Sequence, residues 1–218
     1  MRQRYEQQMQ HLHDDLLRIG SRVDHGLSDA LKALASANPE LGNQVVAADR
    51  EIDRTHQSID EQVMDIIATQ QPVARDLRTL LAIGAIASEL ERTGDYAKGI
   101  AKRVSSLLQQ SPIVTPPQTI IGMGELAHTM LLQCLDAFVK RDVDLARQLG
   151  EKDKQVDALE DEANEQIRQM IRDDISTLNS GLILIEITYM LERLAVRTTN
   201  IGVRVIYMVN SGTEVIND

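Results

Sequence analysis

Seven positions of one acidic and apolar stretch return 104 residues later in the same chain. Asp49, Ile52, Asp53, Glu61, Gln62, Val63 and Ile67 match Asp153, Val156, Asp157, Glu165, Gln166, Ile167 and Ile171. Three residues are then lost, and at an offset of 101 Leu90-Glu91-Arg92 matches Leu191-Glu192-Arg193. Ile100, Arg103 and Val104 match Ile201, Arg204 and Val205 on that second register. A chain that repeats itself in this way folds as two copies of one unit. Each unit has about 100 residues in which to close its own apolar face.

The unit is helical. Leu16, Val23, Leu27, Ala30 and Leu34 recur at three- and four-residue steps, which puts them on one face of a helix over about Arg4 to Ala37. Asn38-Pro39 stops it. A second helix runs over Glu40 to Ala68 on Val45, Ile52, Ile59, Val63 and Ile66, and Gln70-Gln71-Pro72 ends it. A third runs from about Val73 to Gln110. Pro112, Pro116 and Pro117 then make the one convincing linker. Beyond it the plan repeats, with helices over about Gln118–Lys140, Val143–Arg172 and Thr177–Met208. The expected fold is all-α: two tandem, duplicated three-helix bundles of six long antiparallel helices. The first bundle spans residues 1–111, the linker 112–117 and the second bundle 118–218. One Phe, four Tyr and no Trp suit helix packing by Leu, Ile, Val, Ala and Met.

Charge and cysteine usage narrow the function. The net charge is −10, with no Lys/Arg cluster to replace counterions, so nucleic acid is not an expected partner. Cys134 is the single cysteine, on an apolar face, and is expected in the core. The first 15 residues carry no apolar segment of signal-peptide type. The longest apolar run, Leu80 to Ala87, is far short of the ~20 residues a membrane span needs. A soluble cytoplasmic protein is expected, without membrane insertion.

Acidic pairs supply the candidate chemistry. Asp49 and Asp53 are four residues apart, as are Glu91 and Asp95, so each pair lies on one helix face. The pairs centre on 51 and 93, which average to Pro72. If Pro72 marks the turn of a helix hairpin, both pairs stand at the same height, about 32 Å from it. Four converging carboxylates repel one another unless a cation joins them, and hard cations prefer oxygen ligands. Mg, Mn, Ca or iron would suit, and the sequence does not choose among them. In the second half Asp153, Asp157 and Glu192 repeat the set about a joint near residue 174, but Val196 stands where Asp95 stood, with Arg197 next to it. That half is expected to be impaired.

Asp24 and His128 are repeat-equivalent and stand near the height of the pairs, so each is a candidate third-helix ligand. His11, His13, His25 and His56 are expected on solvated surface. Glu125–His128 and Asp53–His56 mimic a di-iron E-x-x-H step, but occupy non-equivalent places in the repeat. No phosphate loop, nucleophile with its base or zinc spacing is present, so nothing else in the chain carries chemistry.

These residues resemble a known family. Residues 70–103, QQPVARDLRTLLAIGAIASELERTGDYAKGIAKR, resemble the signature of the PhoU family of phosphate-signalling regulators. Arg141-Asp142-Val143-Asp144-Leu145-Ala146, Leu191-Glu192-Arg193, Asn200-Ile201 and the closing Val205 to Val209 extend the resemblance over nearly the whole chain. It implies two similar three-helix bundles whose acidic pairs hold metal ions or iron clusters. Asp49, Asp53, Glu91 and Asp95 would form the first site, and Asp153, Asp157 and Glu192 the second. Where the family's second signature carries Gly-Asp-His-Ala, this chain reads Ala195-Val196-Arg197-Thr198. The implied role is a negative regulator acting between the ATPase of a phosphate-import ABC transporter and a membrane sensor histidine kinase, as a homo-oligomer, most simply a dimer. Asp76 and Arg78 lie in the signature near the Pro72 turn, suited to a helix cap or a partner contact. Two other readings stay open: a carboxylate-bridged metal enzyme or metal store, and a scaffold whose acidic pairs only form salt bridges.

Overall fold

A computed structural model describes residues 2–210, 214 and 216. The helices are α1 (Arg2–Ser36), α2 (Pro39–Gln70), α3 (Arg75–Leu107), α4 (Gln118–Lys140), α5 (Val143–Arg147), α6 (Leu149–Asp173) and α7 (Leu178–Asn210). One 3-10 turn, Ile175–Thr177, precedes α7. No helix among the described residues is long and apolar enough to cross a membrane.

The all-α duplicated bundle is what the chain adopts. Helices α1, α2 and α3 pack on one another, and so do α4, α6 and α7. The halves meet through α3 against α7 and α1 against α4, whereas α2 touches only α1 and α3. The molecule is therefore a central layer of four helices with α2 and α6 as outer flanks. Along the α3–α7 seam, Glu89 pairs with Arg197 and Arg103 with Glu186, so the two helices run antiparallel. One hydrophobic cluster runs through both halves, from Leu12, Leu16 and Ile19 of α1 to Leu191, Leu194 and Val205 of α7. Burying each such Leu or Ile fully contributes roughly 1.5–3 kcal/mol. Cys134 lies in this core, as expected, and burial pushes its thiol pKa up.

Helix ends follow local chemistry. Asn38 caps α2 by accepting from the Glu40 N–H at 3.0 Å, with Pro39 at the first helical position. Gln71 enters the left-handed region (φ 48°) and its N–H closes onto the Ile67 carbonyl, so α2 runs to Gln70 rather than Ala68. Ala74 also has positive φ, which delays α3 to Arg75 instead of Val73. The helix expected over Val143–Arg172 is interrupted at Gln148. Near this break the C-terminal tail returns: Glu214 forms two hydrogen bonds with Arg147, at 2.8 and 3.0 Å. The Ile216 carbonyl comes so close to Gly150 that a Cβ there would sit 2.0 Å from it. Only glycine fits that approach.

A trough of about 630 Å³ opens between α1 and α2, floored by Val23, Gly26, Val45, Ile52, Gly94 and Ala97. Its origin is legible in the repeat. Gly26 corresponds to Met130, which is fully buried in the second half. A Cβ at Gly26 would meet nothing nearer than a Val45 methyl at 4.0 Å. Gly26→Met is therefore expected to stabilise the protein by about 1 kcal/mol through helix propensity alone. That raises the melting temperature by roughly 2–4 °C in a chain of this size. A lower melting temperature would show that the trough walls cannot accommodate the side chain.

Candidate functional site

The acidic pairs occupy the seams between an outer and an inner helix. In the first half Asp49 projects from α2 into its seam with α3 and is only 5% exposed. Asp53 and Asp95 are exposed, and Glu91 is half-buried. Lys98, one turn beyond Asp95 on α3, reaches into the seam. Its ammonium donates to Asp49 Oδ2 at 2.5 Å and to Asp95 Oδ1 at 2.9 Å. These two carboxylates hold the Lys98 pKa above its ordinary value, against the opposing effect of burial. Burial raises the Glu91 pKa, and the charges of Asp95 and Asp53 add to that, while His56 and Arg92 oppose it. Asp49 Oδ1 is buried with no hydrogen-bond partner.

The second half repeats the layout on α6 and α7. Asp153 is 7% exposed and its Oδ1, like that of Asp49, is buried without a partner. Burial first, then the charges of Asp157 and Glu192, push its carboxyl up to about 6, with Arg193 opposing. Asp157 and Glu160 are raised by burial and by Glu192 as well. Glu192 is 9% exposed. The Arg193 guanidinium curls back to donate to both of its oxygens, Nε and one terminal nitrogen each at 2.5 Å. Val196 supplies no oxygen, as the sequence indicated.

Three participants escaped the sequence reading: Glu160, Lys98 and Arg193. Glu160 corresponds to His56 at the offset of 104, and with Asp153 and Asp157 it forms an i, i+4, i+7 stripe on one helix face. It brings the second cluster back to four carboxylates. The signal was the i+3 step from Asp157, which sequence reasoning weighed only at Asp53–His56. Lys98 was likewise signalled by its i+3 step from Asp95.

Asp24 and His128 are brought to each other. His128 Nε2 lies 2.5 Å from Asp24 Oδ1, across the α1–α4 contact. Since they are repeat-equivalent, the pseudo-two-fold axis relating the halves passes between them. Their hydrogen bond joins the two halves. His13 is not on solvated surface: its ring stacks on Phe138 with centroids 5.2 Å apart. His56 is also half-buried, with Nε2 3.2 Å from Ser88 Oγ and 3.4 Å from Asp60 Oδ2. His11 and His25 are exposed as expected. Asp76 accepts a hydrogen bond from the Tyr5 hydroxyl, tying the α2–α3 turn to α1.

The donor chemistry fits a hard cation. The pKa is raised at Glu91 in the first cluster and at Asp153, Asp157 and Glu160 in the second, and each cluster contains one buried aspartate oxygen with no partner. Among the described residues no group of three or more His, Cys, Asp and Glu side chains is gathered closely enough to hold a metal as it stands. Lys98 and Arg193 occupy the carboxylates in that arrangement.

Comparison with known proteins agrees with the duplication. Residues 16–104 and 120–205 each match the family model described as PhoU domain. The phosphate-specific transport system accessory protein PhoU homolog of Clostridium acetobutylicum is 31% identical over 217 residues, covering 98% of each chain. The crystal structure of PhoU from Pseudomonas aeruginosa superposes with a TM-score of 0.90 at 30% identity, over 95% of this chain and 100% of that one. The phosphate transport system regulatory protein PhoU from Streptococcus pneumoniae gives 0.87 at 28% identity, over 96% and 99%. Two tandem copies of the domain, matched end to end in sequence and in fold, make this chain a member of the PhoU family.

Proposed function

We propose that this chain is a cytoplasmic, metal-binding regulator of phosphate uptake that works by docking rather than by catalysis. In this reading it acts as a homodimeric adaptor between the ATPase of a phosphate-import ABC transporter and a membrane sensor histidine kinase. It restrains the phosphate-starvation response when phosphate is plentiful. The observation that carries the reading is the end-to-end alignment, 98% of either chain, with an accessory protein of phosphate-specific transport.

The acidic seams supply the regulatory element. Asp49, Asp53, Glu91 and Asp95 would hold a divalent ion or iron in the first half. Asp153, Asp157 and Glu192, joined by Glu160, would hold one in the second. The ion supplies positive charge that ties an outer helix to an inner one. Asp49 and Asp153 would contribute the innermost oxygens from α2 and α6, with Glu192 of α7 acting on Asp153 and Glu91 of α3 standing nearest Asp53 and Asp95. Those inner helices also form the seam between the halves. Charge taken up at a cluster is thereby transmitted to the packing of the whole molecule.

Two measurements test this. Elemental analysis of the reconstituted protein at neutral pH is expected to find stoichiometric metal, most of the first site's share disappearing in E91Q/D95N. No metal in the wild type would sink the metal claim. Deleting the protein in its host is expected to switch on phosphate-starvation genes in rich phosphate. Normal repression there would sink the regulatory claim independently.

A further inference from the structure

We infer that Lys98 and Arg193 are resident counter-cations, each holding its acidic cluster in place of a metal and leaving the carboxylates when metal enters. The inference rests on the metal reading above and adds what controls it. Lys98 bridges α2 and α3 as a bound cation would, with one ammonium shared between Asp49 and Asp95. Arg193 takes both oxygens of Glu192, the one carboxylate whose charge acts on Asp153, Asp157 and Glu160 alike.

The geometry of Arg193 is unusual for a helix. Adjacent residues project about 100° apart, so they do not normally face each other. The guanidinium wraps around α7 to reach its neighbour. It lies 5.8 Å from the centre of the Tyr189 ring, which offers a second resting place for the cation after Glu192 is given up. Tyr189 is 54% exposed, so that movement alters the surface.

The two halves reach this solution with different residues. The repeat partner of Lys98 is Thr199, whose hydroxyl donates to the Val196 carbonyl at 2.8 Å. The repeat partner of Arg193 is Arg92, which is exposed. Lys98 therefore has no counterpart in the second half, whereas the arginine is common to both halves and turns onto its neighbouring glutamate only in the second. Each half has placed its own cation where like charges crowd. Even so, one oxygen of Asp49 and one of Asp153 stay unpartnered and buried, so one basic group leaves each cluster under-satisfied. Clusters closed this way keep the fold intact without metal and make uptake an exchange of one cation for another. Affinity is then set by how firmly Lys98 and Arg193 are held, which suits reversible binding.

The test uses the full chain stripped of metal and titrated calorimetrically with Mn2+. Relative to the wild type, K98Q and R193Q are each expected to bind at least tenfold more tightly at one site, while K98R, which keeps the charge, stays within about threefold. Circular dichroism before titration establishes that each variant is folded. A second readout follows Lys98 directly by acetylation with acetic anhydride and mass spectrometry. Its labelling is expected to rise several-fold when Mn2+ is added to the wild type. Wild-type binding with unchanged or weaker affinity in both Gln variants overturns the exchange alone, as does Lys98 labelling that metal leaves unchanged or lowers. No Mn2+ uptake by the wild type or any variant overturns the metal reading and the exchange together.

Discussion

Glu89→Ala is expected to lower the stability of the protein by about 3 kcal/mol, a loss of roughly 6–12 °C in melting temperature. Glu89 on α3 and Arg197 on α7 face each other across the seam between the halves, 3.3 Å apart, and each side chain is only 16% exposed. Removing the carboxylate strands a guanidinium between two helices. Its Nε is already buried without a partner, so the loss is not cushioned by other bonds. Breaking a buried pair from one side costs several kcal/mol, because the remaining charge cannot be rehydrated. Replacing both partners, as in Glu89→Met with Arg197→Leu, is expected to recover most of the loss. The Arg103–Glu186 pair on the same seam is a built-in control. Its side chains are 39% and 50% exposed, so Glu186→Ala is expected to cost under about 1 kcal/mol. Urea unfolding of the four proteins checks this. A Glu89→Ala loss no larger than that of Glu186→Ala would mean that water reaches the seam.

The seam also marks the limit of what the sequence discloses. Periodicity reports which face of a helix is apolar, and it placed Leu16, Val23, Leu27 and Leu34 in the core, where they are buried. The repeat arithmetic found Asp49 and Asp153, the two buried aspartates among the described residues. It also found that Asp24 and His128 are equivalent. It did not reveal that they touch, because that depends on α1 packing against α4, a contact between halves that neither half encodes by itself. His13 was misplaced for the same reason: its partner Phe138 lies on α4. Lys98 and Arg193 were missed because a long flexible side chain reaches whatever charge the tertiary structure offers, and spacing bounds its reach without fixing its direction. The interruption at Gln148 was invisible because the tail that packs there, through Glu214 and Ile216, is some 60 residues away in sequence.

Asp153→Asn is expected to stabilise the metal-free protein at pH 7.5 by about 2 kcal/mol, an effect that shrinks as pH falls from about 6 towards 3.8. The sign follows from the folded state. Burial and the charges of Asp157 and Glu192 raise the Asp153 carboxyl from 3.8 to about 6, so the native protein binds this proton more tightly than the unfolded chain does. Ionising Asp153 above pH 6 therefore costs stability, and the cost vanishes below pH 3.8, where both states are protonated. Asp157, Glu160 and Glu91 are shifted the same way and act in the same direction. The wild type should thus gain stability as pH falls from about 6 towards 3.8 and change little above that window. Glu165, Asp174 and Glu214 run opposite: their partners lower their pKa values, and the stability they contribute is lost once pH drops through those values. Urea unfolding in chelator across pH 3–7.5 should therefore rise as pH falls below about 6 and turn over only below the ordinary carboxylate range, and Asp153→Asn should flatten the rise. A variant that keeps the wild-type slope would place the titrating group elsewhere. Repeating the series with Mn2+ links the prediction to function. If metal supplies the charge that Asp153 lacks, the wild type gains stability at pH 7.5 and overtakes the variant, so the substitution that helps the empty protein handicaps the loaded one.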